Sequence, residues 1–162
     1  RSTMMAGTRM SMSDIRVVES AEALLEIAEL DDVVFNYVGM ERRPHNEDGI
    51  DLDPNFSIRP GITDDQRGLL VQVSAEVTTP DAEMRIEVEV RYRLAERIEL
   101  PGTEVWEVFL GTSTMLTAVP FLREGFASLA SRFRVDVPQI ALARPQRLVA
   151  VPADRKPDPE GS

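Results

Sequence analysis

The 162-residue chain holds 28 acidic against 18 basic residues, a formal net charge of −10, with 43% hydrophobic and 28% charged residues and no cysteine. That size and balance suit one globular core, and the missing thiols exclude a disulfide framework, thiol catalysis and thiolate metal sites. Residues 14–65 hold 14 Asp/Glu against 4 Arg, the wrong sign for neutralising phosphates, so DNA and RNA are not expected as direct ligands.

Residues 1–12, rich in Met, Ser and Gly without periodicity, are expected to be disordered. They lack the apolar run of a signal peptide. A helix is predicted over Ser13–Leu30, capped by Ser13 or Asp14, with Val17, Ala21, Leu24, Leu25 and Ala28 as its apolar stripe. Glu19, Glu22, Glu26 and Glu29 cover the rest, so this helix either caps its own sheet or forms a docking surface for another subunit or protein. Val33–Val38 reads as a first strand ending before Arg42-Arg43-Pro44. Strict alternation puts Val33, Phe35 and Tyr37 on one face and Val34 and Val38 on the other. In the acidic, turn-rich His45–Pro54, the run Asp48, Asp51, Asp53, Asn55 faintly resembles calcium ligands. Gly49 is misplaced for an EF-hand loop and no bidentate acid follows, so no metal is expected there.

Phe56–Arg59 suggests a short strand broken by Pro60-Gly61. Two alternating strands follow, Leu69–Thr79 and Met84–Leu94, joined by a hairpin-length turn. The second sets Met84, Ile86, Val88, Val90, Tyr92 and Leu94 inward and Arg85, Glu87, Glu89, Arg91 and Arg93 outward, where cross-strand ion pairs are expected. Pro101-Gly102 turns the chain into a predicted fourth strand, Glu104–Leu110. Helical spacing then returns at Ala118, Leu122, Phe126, Leu129 and Phe133, opposite Arg123, Glu124, Ser128, Ser131 and Arg134. Because Pro120 removes a helical hydrogen bond, the regular helix is expected to begin near Val119 or Pro120, with Thr112–Ala118 as a kinked lead-in. Pro138 and Pro145 frame a semi-extended loop bearing Val135, Val137, Ile140 and Leu142. A last short element is expected at Arg147–Val151, and 153–162 should be disordered.

The reading is one α+β domain over 13–152: a four-stranded antiparallel sheet with a long C-terminal helix packed on one face, preceded by an amphipathic helix. No apolar run approaches the length that spans a bilayer, and a cytoplasmic protein fits best. Catalytic chemistry is poorly supplied. His45 is the lone histidine, and the glycines are isolated rather than grouped in a phosphate loop. Neither an enzyme nor a cofactor is expected.

The run Val119-Pro120-Phe121-Leu122-Arg123-Glu124, then Leu129, Arg132 and Pro138-Gln139, resembles the signature helix and following loop of the SecB family of export chaperones. The order of elements over Val33–Pro145 supports the resemblance. The additional N-terminal helix looks more like the SecB-like chaperones of toxin–antitoxin systems. The resemblance implies an ATP-independent holdase, a dimer of dimers that binds unfolded polypeptides in apolar grooves, serving export or an antitoxin. By matched position the client-binding residues would be Phe35, Tyr37, Phe56, Phe121, Val137, Ile140 and Leu142. Arg123, Glu124 and Arg132 would be structural or oligomer contacts. Glu89 only approximates an acid that docks the export motor. The family's glycine after the helix is absent, Arg132-Phe133-Arg134 standing there instead. The alternative is an adaptor with one folded partner on the same fold.

Overall fold

The structure, a computed structural model, describes residues 15–48 and 51–135. The expected disordered ends, the loop residues Val137, Ile140 and Leu142, and Arg147–Val151 lie outside the described residues.

Ser20 starts the first helix: its side chain accepts from the Ala23 N–H, which satisfies one of the free donors of the first turn. Helix α1 is Ala21–Ile27 and so much shorter than Ser13–Leu30. Upstream, Arg16 donates its N–H to the Arg97 carbonyl and accepts from the Glu99 N–H, which commits that segment to an extended bridge. Downstream, Ala28 already pairs with Leu94, so the chain passes from helix to strand with no intervening loop.

Four strands follow: β1 (Ala28–Arg42), β2 (Asp51–Ile62), β3 (Gly68–Thr78) and β4 (Ala82–Leu94). All pairings are antiparallel and the order is β1-β4-β3-β2, which leaves β1 and β2 as edges. The fourth member of the sheet is therefore β2 and not Glu104–Leu110. β2 also runs through Pro60-Gly61, because an edge strand needs no outward N–H at Pro60. β3 and β4 alternate as expected. Val71, Val73, Ala75, Ile86, Val88 and Val90 are fully buried on the helix side. The outer side carries Arg85–Glu76 and Arg93–Asp31 across strands and Arg85–Glu87 and Arg91–Glu89 along β4.

Glu104–Leu110 is helical. Helix α2 (Thr103–Phe109), a π turn (Leu110–Thr114) and α3 (Met115–Phe133) form one continuous rod. Its buried positions recur every fourth residue: Trp106, Leu110, Thr114, Ala118, Leu122, Phe126 and Ala130. At 100° per residue such a row drifts by about 40° per step, and the extra residue of the π turn takes back about 100°. The turn thus offsets part of that drift along the row facing the core. Tyr92 fixes it there, with its hydroxyl 3.2 Å from Thr114 Oγ1 and 3.4 Å from Ser113 Oγ. α3 begins at Met115 and tolerates Pro120, so the expected start near Val119 is wrong. Pro120 is exposed, as is Leu116, whose carbonyl lacks its usual fourth-residue donor and stands near water. The rod is long and apolar enough to cross a bilayer, yet Phe109, Ala118, Leu122 and Phe126 are fully buried in the core.

Candidate functional site

β1 is only partly roofed by α3, and its apolar side chains show it. Leu30, Phe35 and Val38 pair with Tyr92, Val88 and Ile86, whose side chains are buried on the helix side. They nevertheless remain 49%, 39% and 46% exposed. Phe35 meets Phe121 of α3 edge to face, ring centroids 6.2 Å apart, so strand and helix share an aromatic contact at the open rim. Phe121 is half-buried. The result is an apolar seam between a strand edge that is unpaired among the described residues and a helix flank.

Tyr37 is not part of it. A bulge at Asn36 lets Phe35 pair with Val88 but Tyr37 with Glu87, and the extra residue reverses the alternation. Tyr37 therefore lies on the outer face, where its ring folds over Gly39 and carries the Arg85 guanidinium 5.5 Å from its centroid. A Cβ at Gly39 would sit 2.4 Å from the tyrosine oxygen, so only glycine permits this pose. A second bulge at Asp31 puts Leu30 on the seam side. Bulges depend on pairing across strands, and alternation within one strand carries no sign of them.

Phe56 is on the helix side but on β2, with β3 and β4 between it and Phe35. That is roughly 14 Å at ordinary strand spacing. It is half-buried against the core and does not line the seam. Arg123 and Glu124 face outward from α3 and Arg132 is exposed in its last turn. Glu89 sits on the outer sheet face, 2.7 Å from Arg91, its charge already matched. Sequence reasoning missed Leu30 and Val38. The signal available for them was the placing of large apolar residues on a strand that would be an edge.

At the far end of the seam Arg42, the last residue of β1, donates to the Phe133 carbonyl at 2.8 Å and ties down the end of α3. Arg134 follows with φ 55°, the left-handed conformation that glycine usually supplies at a helix end. This is the neighbourhood in which the SecB resemblance leads one to expect glycine. Among the described residues no group of three or more His, Asp or Glu is arranged to hold a metal ion. His45 lies on the surface, its Nδ1 2.7 Å from Asp81.

No protein-family model matches the chain, and no curated protein matches it. Among solved structures, the fold is similar to a Mycobacterium tuberculosis SecB-like chaperone in complex with a ChAD peptide from the HigA1 antitoxin. The TM-score is 0.56 at 15% identity, over 76% of this chain and 95% of that one. At this identity the likeness is one of architecture, and the chain has a SecB-like fold.

Proposed function

We propose that the protein is an ATP-independent holdase that binds non-native polypeptide along the β1–α3 seam. The observation that carries this reading is the Phe35–Phe121 contact left open at the rim, with Leu30 and Val38 exposed beside it. Such a surface offers apolar area and adaptable aromatic rings without directional polar groups, so it selects for unfolded apolar chain and not for a particular sequence. The antitoxin peptide bound by the similarly folded mycobacterial chaperone supports a polypeptide ligand. It also favours an antitoxin client over export. Glu89, matched by Arg91, offers little to a motor.

Assembly into a dimer of dimers belongs to the same reading. β2 carries Pro54 and Pro60, which spoil an edge for strand addition, whereas β1 has no proline in 15 residues. From Leu110 to Pro120 the rod carries no charged residue, and Leu116 is 66% exposed. A second copy could cover each.

The test is suppression of aggregation of a chemically unfolded, unrelated protein without nucleotide. Suppression that weakens in Phe35→Ser/Phe121→Ser, with the assembly intact by light scattering, is expected. A well-folded oligomer that suppresses nothing contradicts the holdase reading. Exclusive binding of one folded protein would support the adaptor instead.

A further inference from the structure

The acid of this protein is not spread evenly between its two faces. On the outer sheet face the glutamates interleave with arginines: Glu76, Glu87 and Glu89 are all ion-paired. The layer formed by α1, α2 and the Arg16–Ile98 bridge is different. No Lys or Arg occurs between Arg16 and Arg42, nor between Arg97 and Arg123. Of the two arginines present, Arg16 pairs with Glu96 and Arg97 donates to Gln66. Glu19, Glu22, Glu26, Glu99, Glu104 and Glu107 are exposed and form no ion pair among the described residues.

The same layer exposes large apolar side chains in a repeated arrangement. Helix α1 turns outward Leu25, 45% exposed, between Glu22 and Glu26. Helix α2, packed on α1, turns outward Val108 beside Glu104 and Glu107. On the adjoining bridge Val17 and Leu100 are 62% and 51% exposed. α2 also holds Trp106, whose buried Nε1 has no hydrogen-bond partner among the described residues.

We propose that this face docks a basic protein segment with an apolar side, such as a Lys/Arg-rich amphipathic helix. Unpaired carboxylates around exposed apolar residues match lysines or arginines flanking leucine-like side chains. A second copy is the wrong occupant, because an isologous contact would set these glutamates against themselves. An anionic membrane or a nucleic acid is repelled for the same reason. The surface is built on α1, α2 and the Arg16–Ile98 bridge, not on β1 or α3, and does not depend on the holdase reading.

The probe is a labelled amphipathic Lys/Leu peptide of about four helical turns, beside a Lys/Ser peptide of equal charge, each titrated into the full chain by fluorescence anisotropy. Preferential Lys/Leu binding is expected, falling about tenfold in Leu25→Ser/Val108→Ser and in E22Q/E26Q/E104Q/E107Q. Those substitutions are on the surface, and circular dichroism checks the fold. Excess unfolded client should not displace the peptide, and the same variants should suppress aggregation as the parent does. No binding, equal binding of both peptides, or indifference to the Leu25 and Val108 changes overturns the proposal. Displacement by client also overturns it, because the peptide would then occupy the seam.

Discussion

One backbone position, one tight contact and one hydrogen-bonded carboxylate show how single residues hold this fold. Arg134 takes the left-handed conformation (φ 55°) at the end of α3, where a side chain costs energy that glycine does not. Arg134→Gly should stabilise the protein by about 0.5–1 kcal/mol, read as a higher urea midpoint at unchanged slope. Gly125 faces β4 so closely that a Cβ would lie 3.0 Å from two carbons of the fully buried Ile86. Gly125→Leu should destabilise by about 1–3 kcal/mol, since the larger side chain must separate helix from sheet. Asp65, in the turn between β2 and β3, is held below its ordinary carboxylate value by the Thr63 hydroxyl and then by the Arg67 backbone N–H. A depressed folded value stabilises above the ordinary value of 3.8 and is lost as pH falls through the folded one. Acidification below the usual carboxylate range should therefore loosen this turn first, as faster amide exchange at Arg67 and Gly68 that Asp65→Asn shows already at neutral pH. None of these was legible beforehand: left-handed backbone at an arginine and a close approach at a glycine exist only once two elements meet.

At the scale of elements, legibility followed how long a period was sustained. β3 and β4 alternate over 11 and 13 residues and were read nearly to their ends. The seven residues of α2 were read as a strand because Val105, Trp106, Val108 and Phe109 favour sheets and a short apolar run fits either period. Its burial at Trp106, Phe109 and Leu110 is a helical spacing. The π turn was invisible for a related reason, since a row repeating every four residues looks like any helix until its drift is added up. The Tyr92 hydroxyl cluster that secures it is buried, so Tyr92→Phe should cost about 1 kcal/mol by leaving Thr114 one partner fewer. Thermal unfolding of that variant checks the value, with amide exchange rising selectively over Leu110–Thr114. The candidate site was half legible by the same logic. Phe35 and Phe121 do come together, but the Asn36 bulge sends Tyr37 to the other face and the strand order carries Phe56 to the far edge.

For the molecule as a whole, the division of labour is between two layers and two kinds of exposed surface. The outer sheet face is polar and balanced by ion pairs, the α1–α2 layer is acidic with isolated apolar residues, and the β1–α3 rim is apolar and open. The overall architecture was legible because an α+β order of elements and a short helix motif pointed the same way, and the fold likeness to a SecB-like chaperone agrees. Edge status was not legible, because it depends on β1 pairing with β4 across the intervening residues 43–81. The account stands on the seam at that edge binding unfolded chain. The most direct measurement is equilibrium binding of a permanently unfolded, fluorescent polypeptide to the protein and to Phe35→Ser/Phe121→Ser, beside Tyr37→Ser and Phe56→Ser. The account predicts binding that falls at least about tenfold in the first variant and little in the other two. Equal binding by the Phe35/Phe121 variant, its fold and assembly intact, would contradict it.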